Sequence, residues 1–133
     1  MEDLWSTSSP WIHRFAGKNP DEAYWTLPPQ GTSFVARLDG EKMTDLQGVF
    51  EEFSRGLRFP AYFGWNWPAF SECLRDLAWI GSENYLLVIS GSQFLLSDEP
   101  EEMNTFMKIS EEAGRTRSRM IRQPATSFNI VLT

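Results

Sequence analysis

Apolar side chains at Leu46, Val49, Phe50, Phe53 and Leu57 fall at i, i+3, i+4, i+7 and i+11. That spacing predicts a helix with one buried stripe. Thr44 with Gln47 three residues on has the form of a capping box, and Gly56 and Pro60 are expected to stop the helix. Upstream, Phe34–Leu38 alternates as a strand should, and Asp39-Gly40 marks a turn. A second helix is predicted where Phe70, Cys73, Leu74 and Leu77 share one face, with Pro68, Glu72, Arg75 and Trp79 on the other. Asn66 suits its N-cap, Pro68 is tolerated in its first turn, and Gly81 is expected to end it. Tyr85–Ile89 is almost unbroken in apolar residues, as a strand buried on both faces would be. Asp98-x-x-Glu101 around Pro100 opens a third helix, buried through Met103, Phe106, Met107 and Ala113 and ended by Gly114. The last strand, 127–133, buries Phe128, Ile130 and Leu132 on one face. Strand, helix, helix, strand, helix, strand favours an α/β layer with a small parallel sheet.

Residues 1–33 follow no such period. Trp5, Trp11 and Trp25 stand among Pro10, Pro20, Pro28 and Pro29. Proline at this density breaks regular elements, while three tryptophans are too apolar for a free tail. The expectation is an irregular N-terminal extension packed on a domain of residues 34–133, with one helical turn after Asn19-Pro20-Asp21-Glu22. Extra cover for a core edge is favoured over a separate binding site.

Composition narrows the function classes. The chain has 133 residues, enough for one domain. Its 41% apolar content includes 14% aromatic residues, which argues for a folded core rather than disorder. The net charge of −6 argues against general nucleic-acid binding, which needs cations on phosphates. It suits a basic protein partner, because opposite fields speed encounter. One cysteine permits no internal disulfide and favours a reducing compartment. The start MEDLWSTSSP has no apolar signal region and no run reaches about 18 apolar residues, so a cytoplasmic protein without a membrane span is expected.

Catalytic chemistry finds little support. The single histidine, His13, reads as a surface residue, and one histidine with one cysteine makes no usual zinc site. Cys73 lies on the apolar face of its helix and has no base near it in sequence. Phosphate and dinucleotide fingerprints are absent, so no cofactor is expected. Glu72 and Asp76 could form a carboxylate pair, but i, i+4 acids on an open face beside Arg75 are ordinarily solvated. An enzyme is not expected. The Arg115–Arg122 run could touch phosphate, but reads better as a solvated connection offsetting Glu101, Glu102, Glu111 and Glu112.

Residues 60–77, PAYFGWNWPAFSECLRDL, carry the functional signal. Tyr62, Phe63, Trp65 and Trp67 crowd a loop that Gly64 allows to turn. Exposed tyrosine and tryptophan in such a place anchor partners more often than they build cores. Phe63 or Trp67 turning inward to fix the loop is the open alternative. Glu72 follows within two turns, has Pro68 and Trp79 on its face, and is joined by Asp76 one turn on. An aromatic loop beside an acidic helix face suits docking onto a basic protein cleft.

Tyr62-Phe63-Gly64-x-Asn66-x-x-Ala69-x-x-x-Cys73-Leu74 resembles the signature of the barstar family, inhibitors of barnase-type ribonucleases. FVARLDG (34–40), YLLVIS (85–90) leading into Ser92-Gln93-Phe94, and SFNIVLT (127–133) fit in order, so the resemblance spans 34–133. It implies a three-stranded parallel sheet covered by helices. It also implies a 1:1 complex with a basic, secreted ribonuclease-type toxin. The matching contact residues are Tyr62, Phe63, Gly64, Asn66 and Glu72. Glu72 takes the place of the family's key aspartate, one methylene longer. Three positions depart. Pro68 stands where an acid is expected, Ser71 where a tryptophan is, and Lys108 near a further acid. Those losses point to a ribonuclease other than barnase. Two alternatives stand beside this reading. One is the same fold binding a non-ribonuclease toxin or another protein. The other is an RNA-binding module that stacks bases on Trp65 and Trp67.

Overall fold

A computed structural model describes residues 4–15, 31–119 and 126–133. Trp25, Pro20, Pro28, Pro29, the expected turn after Asn19 and the position of Arg122 lie outside them. The elements are β1 (Ile12–Arg14), β2 (Ser33–Asp39), α1 (Leu46–Leu57), α2 (Trp67–Asp76), β3 (Asn84–Ser90), α3 (Met103–Ser118) and β4 (Ser127–Leu132). Short 3-10 turns occupy Gly40–Lys42, Ser92–Phe94 and Pro100–Glu102.

The sheet has four parallel strands in the order β1-β4-β3-β2, which corrects the expectation of three. The extra strand comes from the segment expected to be irregular. Ile12, His13 and Arg14 pair with Ile130, Val131 and Leu132. Backbone bonds from Ile130 N to Trp11 O and from Phe15 N to Leu132 O, both 2.8 Å, extend the ladder. An open β4 edge would leave a row of backbone groups to be satisfied, and this segment satisfies them. A three-residue strand is too short to leave a period in the sequence.

Side-chain alternation sorts the two faces of the sheet. Ala36, Leu38, Tyr85, Leu87, Ile89, Phe128, Ile130 and Leu132 join the helices in the main core. On the other face Leu86, Val88 and Val131 are covered by Leu4 and Trp5, with Phe15 and Val35 at the margin. β4 is therefore buried on both faces, more fully than the one-face expectation. His13 belongs to this second face and is not a surface residue: it is 2% exposed. Asn129 Nδ2 donates to Ser6 O at 2.9 Å, leaving Oδ1 to accept from His13 Nε2 at 2.9 Å.

Several helix ends differ from expectation. Asp45, not Thr44, caps α1, its Oδ1 accepting from Gly48 N at 2.8 Å, while Gln47 bonds Glu51 along the helix. α1 stops at Arg58 and α2 at Leu77, each in a left-handed conformation (φ 54° and 53°), so Gly56 and Gly81 are not the terminators. α3 runs through Gly114 to Ser118. A Cβ at Gly114 would lie 2.4 Å from Trp11 Cγ, so this glycine serves the close approach of an N-terminal tryptophan and not a helix end.

Candidate partner-binding site

The loop between α1 and α2 is built on phenylalanine. Phe59 and Phe63 are buried. Their rings meet edge to face at 4.9 Å, and Phe63 meets Phe50 likewise at 5.6 Å. A turn bond from Phe63 N to Pro60 O at 3.0 Å sets the ring inward. Asn66 closes the loop from the other side. Its Oδ1 accepts from Ala69 N at 2.9 Å as the α2 N-cap, and its Nδ2 donates to Gly64 O at 3.1 Å.

This anchoring decides which aromatic residues remain available. Tyr62 is 76% exposed and Trp65 47%. Phe63, expected in the rim, is only 5% exposed and works as the loop's anchor. Trp67 is half-buried: its ring packs edge to face on Phe50 and Phe70, and its Nε1 donates to Glu102 Oε2 at 2.7 Å. Trp79 is half-buried too, donating from Nε1 to Leu57 O at 2.8 Å with its ring against Phe59.

A small cleft of about 120 Å³ opens between the loop and α2, lined by Tyr62, Phe63, Ala69, Glu72, Cys73, Asp76 and Trp79. The fold thus joins Tyr62 and both carboxylates around one hollow, with Phe63 and Trp79 in its walls. Gly64, Trp65, Asn66, Trp67 and Pro68 do not line it, although Gly64, Trp65, Asn66 and Pro68 are exposed nearby in the chain. Glu72 and Asp76 are exposed, as an acidic contact surface requires. Cys73 is buried, and burial pushes its thiol up, with the Asp76 and Glu72 carboxylates adding to the shift. A thiol held protonated is a poor nucleophile.

Two residues that sequence reasoning left aside hold this surface in place. Arg117, expected in a solvated run, is 3% exposed. Its Nη1 donates to Arg75 O and Asp76 O at 3.3 and 3.1 Å, and its guanidinium carbon lies 4.6 Å from the centre of the Tyr85 ring. Tyr85 in turn donates from its hydroxyl to Leu77 O at 3.2 Å. The free carbonyls ending α2 thus meet a buried cation and a phenol, favourable at the negative end of a helix. Spacing could have revealed Arg117: Phe106, Ser110, Ala113 and Arg117 form one helical stripe, and all are buried. Glu102, the partner of Trp67, has no such signal.

A wider depression of about 600 Å³ lies at the C-terminal ends of β2 and β3. Its buried Glu52 accepts from Asp39 N at 2.7 Å and from Arg55 Nε and Nη2 at 2.9 Å each, so that carboxylate is committed to structure. Among the described residues no cluster of three or more histidine, cysteine or acidic side chains could hold a metal ion. No described helix is long and apolar enough to cross a membrane.

A family model described as barstar (barnase inhibitor) matches residues 33–132. The chain belongs to the barstar family. The barstar match begins with β2, ends with β4 and takes in the whole aromatic loop and α2, while β1 and the cover over the second sheet face fall outside it. A comparison with curated protein sequences finds no match.

Proposed function

We propose that this chain is a cytoplasmic protein inhibitor, of the immunity type, that binds a barnase-type ribonuclease 1:1 and blocks its active-site cleft. The observation that carries the reading is the hollow between loop and α2, where exposed Tyr62 stands beside Glu72 and Asp76. A ribonuclease cleft is basic because it holds phosphate, and carboxylates fixed beside aromatic rings match it in charge and in shape. Glu72 takes the phosphate's place, Asp76 extends the negative face, and Tyr62 and Trp65 shield the pairs from water. Phe63, Gly64, Asn66 and Trp67 set the loop's shape, and Pro68 and Trp79 flank it. The inhibitor is not an enzyme, and it needs no cofactor.

Pro68, Ser71 and Lys108 remove groups that the family resemblance leads one to expect. They favour a secreted toxin whose cleft differs from that of barnase. The test is titration of the purified chain into barnase-type ribonucleases while RNA cleavage is followed. Stoichiometric loss of cleavage supports the proposal. A stable complex with a toxin of another activity would favour the alternative, a barstar-like module for a non-ribonuclease partner. A salt-dependent shift of RNA by the chain alone would favour RNA binding instead.

A further inference from the structure

Trp65 is held at φ 54°, in the left-handed region that a bulky side chain ordinarily avoids. Three other non-glycine described residues share that conformation, and each has a structural reason. Arg58 and Leu77 end α1 and α2. Leu96 is wholly buried. Trp65 ends no helix and fills no core: it is 47% exposed. Its ring leans on Phe63 at 5.3 Å, but Phe63 is already packed by Phe50 and Phe59. Asn66, bonded to Gly64 O and Ala69 N on either side, keeps the strained residue in place. Glycine would take this backbone at no steric cost. Backbone strain of this kind clusters at ligand clamps and other functional contacts.

We infer that Trp65 is a specificity-determining contact, its exposed ring receiving an arginine or lysine from the rim of the partner's cleft. The inference rests on the inhibitor reading and deepens it. Trp65 is an unspecified position of the loop motif, so it can distinguish one partner from another without disturbing the fold. Cations are the fitting occupants. The ring packs at a tilt against Phe63, which lines the same hollow as the carboxylates of Glu72 and Asp76, and the chain as a whole carries a charge of −6. Tryptophan offers a cation the best face of any side chain.

The test compares Trp65→Gly and Trp65→Phe with the parent chain. Two quantities are measured: the melting temperature, and the inhibition constant against barnase and a panel of barnase-type ribonucleases. Trp65→Gly keeps the left-handed backbone and deletes the ring. Its melting temperature should stay within about 2 °C of the parent's or rise. Its inhibition of the ribonuclease that the parent binds most tightly should weaken about tenfold or more. Trp65→Phe should fall between the two, because phenylalanine is a weaker cation platform. A melting temperature lowered by about 5 °C or more in Trp65→Gly would assign the ring to the fold and overturn the inference. Undiminished inhibition by Trp65→Gly would also overturn it and leave the inhibitor reading intact. If the parent inhibits no ribonuclease of the panel, the inhibitor reading fails first and this inference falls with it.

Discussion

The indole N–H of Trp67 donates to a carboxylate oxygen of Glu102 across 2.7 Å, tying the first residue of α2 to the turn that opens α3. The bond fixes the start of the helix that carries Glu72 and Asp76. Trp67→Phe keeps a ring against Phe50 and Phe70 but removes the donor. It should destabilise the fold by about 1–2 kcal/mol in a urea titration. A double-mutant cycle with Glu102→Ala should show that most of this loss is shared by the pair.

The other end of α2 depends on Arg117. Removing its side chain strands the carbonyls of Arg75 and Asp76 in a buried place and takes a cation from the helix C-terminus. Arg117→Met should cost about 2–3 kcal/mol of stability. Arg115→Met, at a partly exposed position, should cost less than about 1 kcal/mol. Chemical denaturation of the two variants side by side distinguishes a buried clamp from a solvated run.

Acid stability follows from Glu52. The hydrogen bond from Arg55 outweighs burial and holds this carboxyl below the ordinary glutamate range, helped by the Asp39 N–H. A group whose folded pKa is depressed binds its proton more readily in the unfolded chain. Its contribution is complete above the unfolded pKa and is lost as pH falls through the folded one. The stability gap between parent and Glu52→Gln should therefore be constant near neutrality and shrink below about pH 4.5. Unfolding free energies measured along that pH range check the sign.

Much of the fold was legible because its signals are periodic. The stripe from Leu46 to Leu57 and the apolar run at Tyr85–Ile89 each produced the expected element. Asn66 announced the α2 cap by residue type alone. What stayed hidden depends on partners distant in sequence. His13 is buried because Asn129, 116 residues later, meets its ring. Gly114 reads as a helix end until Trp11 is seen lying across it. Phe63 and Trp67 look alike in a loop, and only the packing of Phe50, Phe59 and Phe70 decides that both turn inward. For the candidate site, the chain order gave Glu72 and Asp76 as neighbours on α2, while Glu102 and Arg117, which hold that helix, come from the Pro100–Glu102 turn and from α3.

Glu72 is expected to carry a buried charge pair in the complex. The direct measurement is the dissociation constant of the inhibited ribonuclease for the parent chain and for Glu72→Ala, with the melting temperature of each free protein as control. Exposed Glu72 makes a small contribution to the free fold, so that temperature should hardly move. Affinity should weaken by about 2–5 kcal/mol, the range for truncating one partner of a buried ion pair. Equal dissociation constants for the two proteins would remove Glu72 from the interface.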